Sequence, residues 1–120
     1  MIQRKFRFED LEIWQIAIEI GDSLYDIADR LEEKKKFRFA EQLRGAAMSI
    51  SNNVAEGSGS FSKAEFSQFL NYAKRSCYEC ANILIISERR NYVSTEQKQA
   101  LFERLEELSR KITNFQKALK

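Results

Sequence analysis

The sequence contains no histidine and no proline, and it has only four glycines and two cysteines. Without histidine, the chain cannot build a Ser-His-Asp triad, the Glu-x-x-His motif of di-iron bundles or the commonest zinc sites. Without proline and with few glycines, it has few residues that interrupt a helix, which favours long helices over the many turns of an all-β fold. The absences therefore predict an all-α protein that is not an enzyme and holds no cofactor or metal.

Long apolar runs are also absent. The longest aliphatic run, Ile83 to Ile86, is far shorter than the ~20 apolar residues that a membrane-spanning helix needs. The segment Met1 to Phe8 leads into acidic residues rather than into the apolar core of a signal peptide. We therefore expect no membrane association, a cytoplasmic location and two free thiols rather than a disulfide.

The 120 residues suit one domain, 1–120, and the composition of 43% hydrophobic and 32% charged residues is that of a globular chain. The net charge of +2 is unevenly distributed. Residues 9–33 hold nine acidic residues and a single base, Arg30, and four bases follow between residues 34 and 38. Such a pattern permits a local basic site on a protein that is not basic throughout.

Hydrophobic periodicity predicts four helices, at about 10–32, 37–56, 63–90 and 95–118, after a basic N-terminal arm, 1–8. Short connections between them favour an up-down-up-down antiparallel four-helix bundle.

Local residues mark the predicted helix ends. Gly57 is placed as a C-cap and Asn91 as a left-handed stop. Two capping boxes are predicted, one from Ser62 with Glu65 and one from Ser94 with Gln97.

The first helix has an unusually wide apolar face, roughly 200° at about 100° per residue, whereas a surface helix usually needs about half of that. Either this helix lies between two neighbouring helices, or part of its face packs against another subunit. The residues of the possible subunit interface are Ile13, Ile16, Ile20 and Ile27.

Two motifs that resemble chemical sites have simpler interpretations. Cys77-x-x-Cys80 lies in the middle of a predicted helix on its apolar face, whereas a redox pair lies at a helix N-terminus and zinc takes four ligands. We therefore predict two buried core residues. The stretch Gly57-Ser58-Gly59 lacks the lysine and the preceding strand of a phosphate loop, so a hinge is predicted.

Basic residues cluster in three places that could contact nucleic-acid phosphates, and in two of them, the N-terminal arm and the run from Lys34 to Arg38, aromatic residues are interleaved. With one arginine of the second helix, the candidate contacts are Arg4, Lys5, Arg7, Lys34, Lys35, Lys36, Arg38, Arg44, Lys74 and Arg75. The alternative is that these side chains are simply solvated, and that lysines near a helix C-terminus complement its dipole.

Three stretches resemble the bacterial four helix bundle protein family, also called 23S rRNA intervening-sequence proteins. They are Phe8-x-Asp10-Leu11-x-x-Trp14, the segment from Gln42 to Gly57 with its Ser49-Ile50-x-x-Asn53-Val54-Ala55-Glu56 core, and Phe66-x-x-Phe69-Leu70-x-x-Ala73-x-x-Ser76-x-x-Glu79. Two residues depart from the pattern: Ser51 stands where proline is expected, and Gly45 stands where a second arginine is common.

The resemblance implies a bundle that assembles as a homopentamer. The family is similar to the accessory protein of diversity-generating retroelements, a basic pentameric barrel that binds nucleic acid and a reverse transcriptase. We therefore expect a non-catalytic oligomeric protein with a possible nucleic-acid or ribonucleoprotein association. The alternative is a protein–protein adaptor with no nucleic-acid role.

The motifs also contain a polar cluster at helical spacing. It either forms a buried hydrogen-bond network between the second and third helices or lines a ligand or subunit contact. Its members are Ser49, Asn53, Glu56, Ser76 and Glu79.

Overall fold

A computed structural model describes residues 5–119 and confirms the all-α prediction for them. A short 3-10 turn, Arg7–Asp10, precedes four helices. They are α1 (Glu12–Glu33), α2 (Phe37–Ser58), α3 (Lys63–Arg89) and α4 (Thr95–Ala118).

Side-chain contacts show that every pair of consecutive helices is antiparallel, because residues late in one helix contact residues early in the next. The same holds between α4 and α1, which closes the bundle. The pairs are Arg44 with Asp29 at 2.7 Å, Lys98 with Glu88 at 3.3 Å and Lys111 with Glu12 at 3.2 Å, and between α2 and α3 the Phe66 side chain packs at Gly57. The up-down-up-down arrangement is therefore the one that the chain adopts.

The residues that begin α3 and α4 act as N-caps. The Ser94 hydroxyl accepts a hydrogen bond from the Gln97 amide, and the Gln97 side chain accepts one from the Ser94 amide, so this capping box is complete. At α3 the Ser62 hydroxyl accepts from the Glu65 amide, and the reciprocal bond is missing. Asn91 has the left-handed φ of 63° expected of a helix stop.

Gly57 does not cap α2 as the sequence predicts. The helix continues through Ser58, and Gly59 is its C-cap. Gly57 lies where α2 and α3 meet, and a Cβ atom there would be 2.8 Å from ring carbon Cδ1 of Phe66 and 2.8 Å from Cβ of Phe69. Glycine is therefore needed for close approach of the two helices, not for its backbone freedom.

Three of the four isoleucines predicted at a subunit interface lie in the chain's own core. Ile13, Ile20 and Ile27 are each no more than 4% exposed. Since α1 packs against both α2 and α4, its wide apolar face is covered from two sides within the chain. The interface prediction is corrected for these three residues, and Ile16 is half-buried against the same core.

Candidate nucleic-acid interface

The α1–α2 and α3–α4 loops meet at one end of the bundle, around Tyr92. Lys34 Nζ donates to the Tyr92 carbonyl oxygen at 2.9 Å. Lys36 Nζ lies 4.7 Å from the centre of the Tyr92 ring, and the Phe39 ring meets that ring edge-on at 5.3 Å. Antiparallel helices place the first and third loops at the same end, and these three contacts hold the two loops together.

The two loops and the adjoining helix ends gather six basic side chains, which we call the basic end. Arg38 borders a surface groove beside Ile86 of α3. Arg89 follows Ile86 by three residues and therefore projects from the same side of α3. The members of the basic end are Lys34, Lys35, Lys36, Arg38, Arg89 and Arg90.

The positive charge of this end acts on the Tyr92 hydroxyl. A hydrogen bond with the Arg90 side chain, followed by the charge of Lys36, lowers the pKa of Tyr92 below its ordinary value. The direction of this shift is the one expected where basic side chains surround a phenol.

None of the six side chains of the basic end forms an ion pair with a carboxylate among residues 5–119. Segments 33–41 and 88–90 contain six basic and three acidic residues, and one of those acids, Glu88, is already paired with Lys98 at 3.3 Å. The basic end therefore carries uncompensated positive charge, which is the electrostatic requirement for binding a polyanion.

Several basic residues singled out from the sequence have partners within the chain instead. Arg44 binds Asp29 and Glu32, each at 2.7 Å, and joins α1 to α2. Its hydrogen bonds to these two carboxylates raise its pKa. Arg44 is therefore occupied in holding the bundle together.

The described part of the N-terminal arm, residues 5–8, lies at the opposite end of the bundle from the basic end. Lys5 pairs with Asp10 at 2.7 Å. The Arg7 guanidinium donates to the carbonyl of Ser58, where a cation complements the C-terminus of α2. Arg4 lies outside the described residues.

Lys74 and Arg75 lie midway along α3, away from both loops. Lys74 Nζ donates to the Thr113 hydroxyl at 3.2 Å, and the Arg75 guanidinium lies 5.9 Å from the centre of the Tyr72 ring. Among the nine candidates that the structure describes, only Lys34, Lys35, Lys36 and Arg38 lie at the basic end.

Arg89 and Arg90 belong to the basic end, although sequence reasoning did not select them. They stand 50 residues or more from the lysine run, so no local pattern relates the two segments. The predicted topology contained the signal, because it places the first and third loops at one end of the bundle.

Three members of the polar cluster form a network between α2 and α3. Ser76 Oγ donates to Ser49 Oγ at 2.8 Å, and Asn53 Nδ2 donates to the carbonyl and hydroxyl oxygens of Ser49 at 2.8 and 3.0 Å. Glu56 and Glu79 are exposed and take no part in it. The network satisfies polar groups where the two helices pack closely.

The two cysteines are buried in α3, Cys77 at 2% exposure and Cys80 at 0%. Burial raises the pKa of each thiol to about 12. The thiolate needed for nucleophilic, redox or metal chemistry is therefore strongly disfavoured near neutral pH.

An apolar depression of about 400 Å³ lies on the surface between α3 and α4. We call it the α3–α4 groove and define it by Tyr78, Ala81, Ile85 and Phe102. Tyr78 is 72% exposed and Ile85 is 38% exposed, so a solvent-facing part of α3 is apolar.

Comparison with known proteins identifies the family. The family model for the 23S rRNA-intervening sequence protein matches residues 9–114. The chain belongs to this family. Among solved structures, it is similar to a crystal structure of a protein with unknown function from the S23 ribosomal protein family of Bacteroides thetaiotaomicron VPI-5482. That similarity has a TM-score of 0.83 at 23% identity and covers 88% of this chain and 98% of the other.

A search of curated proteins found no match. The family resemblance seen in the sequence is thus confirmed, and the crystal structure supports the fold alone. Within residues 5–119, no helix is long and apolar enough to span a membrane.

Proposed function

We propose that this intervening-sequence protein is a non-catalytic, oligomeric helical bundle that binds nucleic acid through its basic end. The observation that carries the proposal is the joining of two loops at Tyr92, which collects six basic side chains without a carboxylate partner among the described residues. The ribosomal RNA in the family's name makes RNA the first ligand to test.

The N-terminus of α2 adds to the positive potential at the basic end. Its N-cap, Lys36, makes no side-chain cap hydrogen bond, and the first turn contains no acidic residue. The partial positive charge of a helix N-terminus is therefore not offset locally, and it reinforces the neighbouring cations in attracting phosphate.

The test is a fluorescence anisotropy titration of labelled RNA and DNA with protein purified at high salt after nuclease treatment. The variant Arg38→Gln/Arg89→Gln removes two exposed charges in helices, and we expect its affinity to fall about tenfold or more at low salt. The control Lys111→Gln/Lys117→Gln makes the same change in net charge on α4. We expect its RNA affinity to fall less than twofold. Equal losses in both variants would contradict a localised site.

We also propose that the chain self-associates, with the α3–α4 groove as the contact. Exposed apolar side chains in one patch favour a protein contact over solvent, and the groove replaces the α1 isoleucines as the candidate surface. A homopentamer, which the family resemblance implies, is the expected stoichiometry. A protein–protein adaptor is the alternative function that this groove favours.

Native mass spectrometry distinguishes these outcomes. We expect the wild type to form a closed oligomer and the variant Tyr78→Asp/Ile85→Asp to be a monomer with an unchanged helical spectrum. A monomeric wild type would contradict self-association. Specific capture of another protein through the groove, together with no salt-sensitive affinity for RNA or DNA, would favour the adaptor.

A further inference from the structure

An aromatic side chain stands exposed within the basic end. Phe37, the first residue of α2, is 57% exposed and lies between Lys36 and Arg38 in sequence. Its neighbour Phe39 turns inward against the Tyr92 ring at 5.3 Å. The chain thus covers one of two closely spaced phenylalanines and leaves the other in solvent among cations.

The Tyr92 ring is less accessible to a ligand than the Phe37 ring. Lys36 lies over the Tyr92 ring and Phe39 meets it edge-on, so Tyr92 is occupied in joining the loops. Phe37 therefore offers the more accessible ring at the basic end.

We infer that the basic end selects unpaired nucleotides, with Phe37 stacking on a base while the surrounding cations contact the adjoining phosphates. This inference rests on the nucleic-acid binding proposed above. In a duplex each base face is covered by its neighbours, so an exposed ring contributes little there. In a single strand a base can leave the stack, and every base presents a face to an aromatic ring, so selection does not depend on sequence.

The charge complementarity comes from residues on both sides of the ring. Lys35, Lys36 and Arg38 flank it along the chain. Arg38 borders the groove that Ile86 lines. Arg89 follows Ile86 by one turn of α3, so we expect its side chain on the same side of that helix. Phosphate contacts alone would bind single and double strands alike, so the exposed ring is what gives the preference.

The test compares one RNA sequence as a single strand and as a duplex, by anisotropy at fixed salt. We expect Phe37→Ala to weaken single-strand binding about tenfold and to change duplex binding less than twofold. Phe37→Trp should retain single-strand affinity, and its fluorescence should be quenched on binding beyond any change from Trp14 measured in the wild type. Phe61→Ala, a fully exposed phenylalanine in the α2–α3 loop, is the control, and we expect no effect.

The outcomes separate the two proposals. If RNA binds with salt sensitivity but Phe37→Ala weakens both forms equally or neither, the stacking inference is overturned and the proposed function stands. If neither form binds with salt sensitivity, the proposed function fails and the inference fails with it. Thermal melts by circular dichroism show that each variant is folded.

Discussion

Lys36 Nζ lies 4.7 Å from the centre of the Tyr92 ring, and this cation–π contact joins the α1–α2 loop to the α3–α4 loop. The basic end exists because these loops are held together. We predict that Tyr92→Ala lowers the free energy of unfolding by about 1–3 kcal/mol, since the ring also packs on Phe39. RNA affinity should fall as well, because the two cation groups separate.

Tyr92→Phe is the matched control for this prediction, because it keeps the ring and removes the hydrogen bond with Arg90. We expect the free energy of unfolding of Tyr92→Phe to stay within about 1 kcal/mol of the wild type. Urea unfolding and an RNA titration on both variants check the pair. Unchanged RNA affinity in Tyr92→Ala would show that the contact does not organise the basic end.

Substitution of two glycines of α2 by alanine should change the free energy of unfolding in opposite directions. A Cβ on Gly45 would meet nothing within 4 Å, so Gly45→Ala should stabilise by about 0.5–1 kcal/mol through helix propensity alone. A Cβ on Gly57 would lie 2.8 Å from two atoms of α3, so Gly57→Ala should destabilise by about 1–3 kcal/mol. Chemical denaturation measures both, and stabilisation by Gly57→Ala would mean that α2 and α3 are further apart than described.

The hydrogen bond between Ser76 and Ser49 should appear as a coupling energy. We expect Ser76→Ala and Ser49→Ala each to lower the free energy of unfolding by about 1 kcal/mol. The double variant should lower it by less than the sum of the two. The reason is that removing either hydroxyl breaks the same 2.8 Å bond. Urea unfolding of the four proteins gives the coupling, and strict additivity would count against a shared network.

The two buried thiols should be inert in the folded protein. Burial raises the pKa of Cys77 and Cys80 to about 12, so the neutral form is favoured by folding. Folded thiols should therefore react with Ellman's reagent at pH 8 only as fast as the chain opens, and both should react at once in denaturant. Rapid reaction of the native protein would contradict their burial.

Local features of the fold are readable from sequence because neighbouring residues determine them. The capping box of Ser94 with Gln97 and the left-handed helix stop at Asn91 are examples. Each of these features is determined by residues within one helical turn. Gly57 was misassigned because glycine suits both a helix end and a close approach, and the distance between α2 and α3 decides between them. The sequence leaves open whether Ile13 lies in the core or at a subunit interface, because both require the same apolar side chain, and the structure places it in the core.

Only part of the candidate site could be predicted from the sequence. The lysine run before α2 stands out in the sequence, whereas Arg89 and Arg90 join it only through the topology of the bundle. Arg44 shows the converse, because its basic side chain is neutralised by Asp29 and Glu32 one helix away. A local sequence pattern does not show whether a basic side chain forms an ion pair with a carboxylate on another helix.

The most direct test of the basic end is the salt dependence of RNA binding, measured as the slope of log K against log[KCl]. Each phosphate contact in a single strand contributes about 0.7 to that slope. We expect Arg38→Gln/Arg89→Gln to have a slope about 1.4 shallower than the wild type, with Lys111→Gln/Lys117→Gln unchanged. Identical slopes in all three proteins, or no salt dependence in the wild type, would contradict nucleic-acid binding at the basic end.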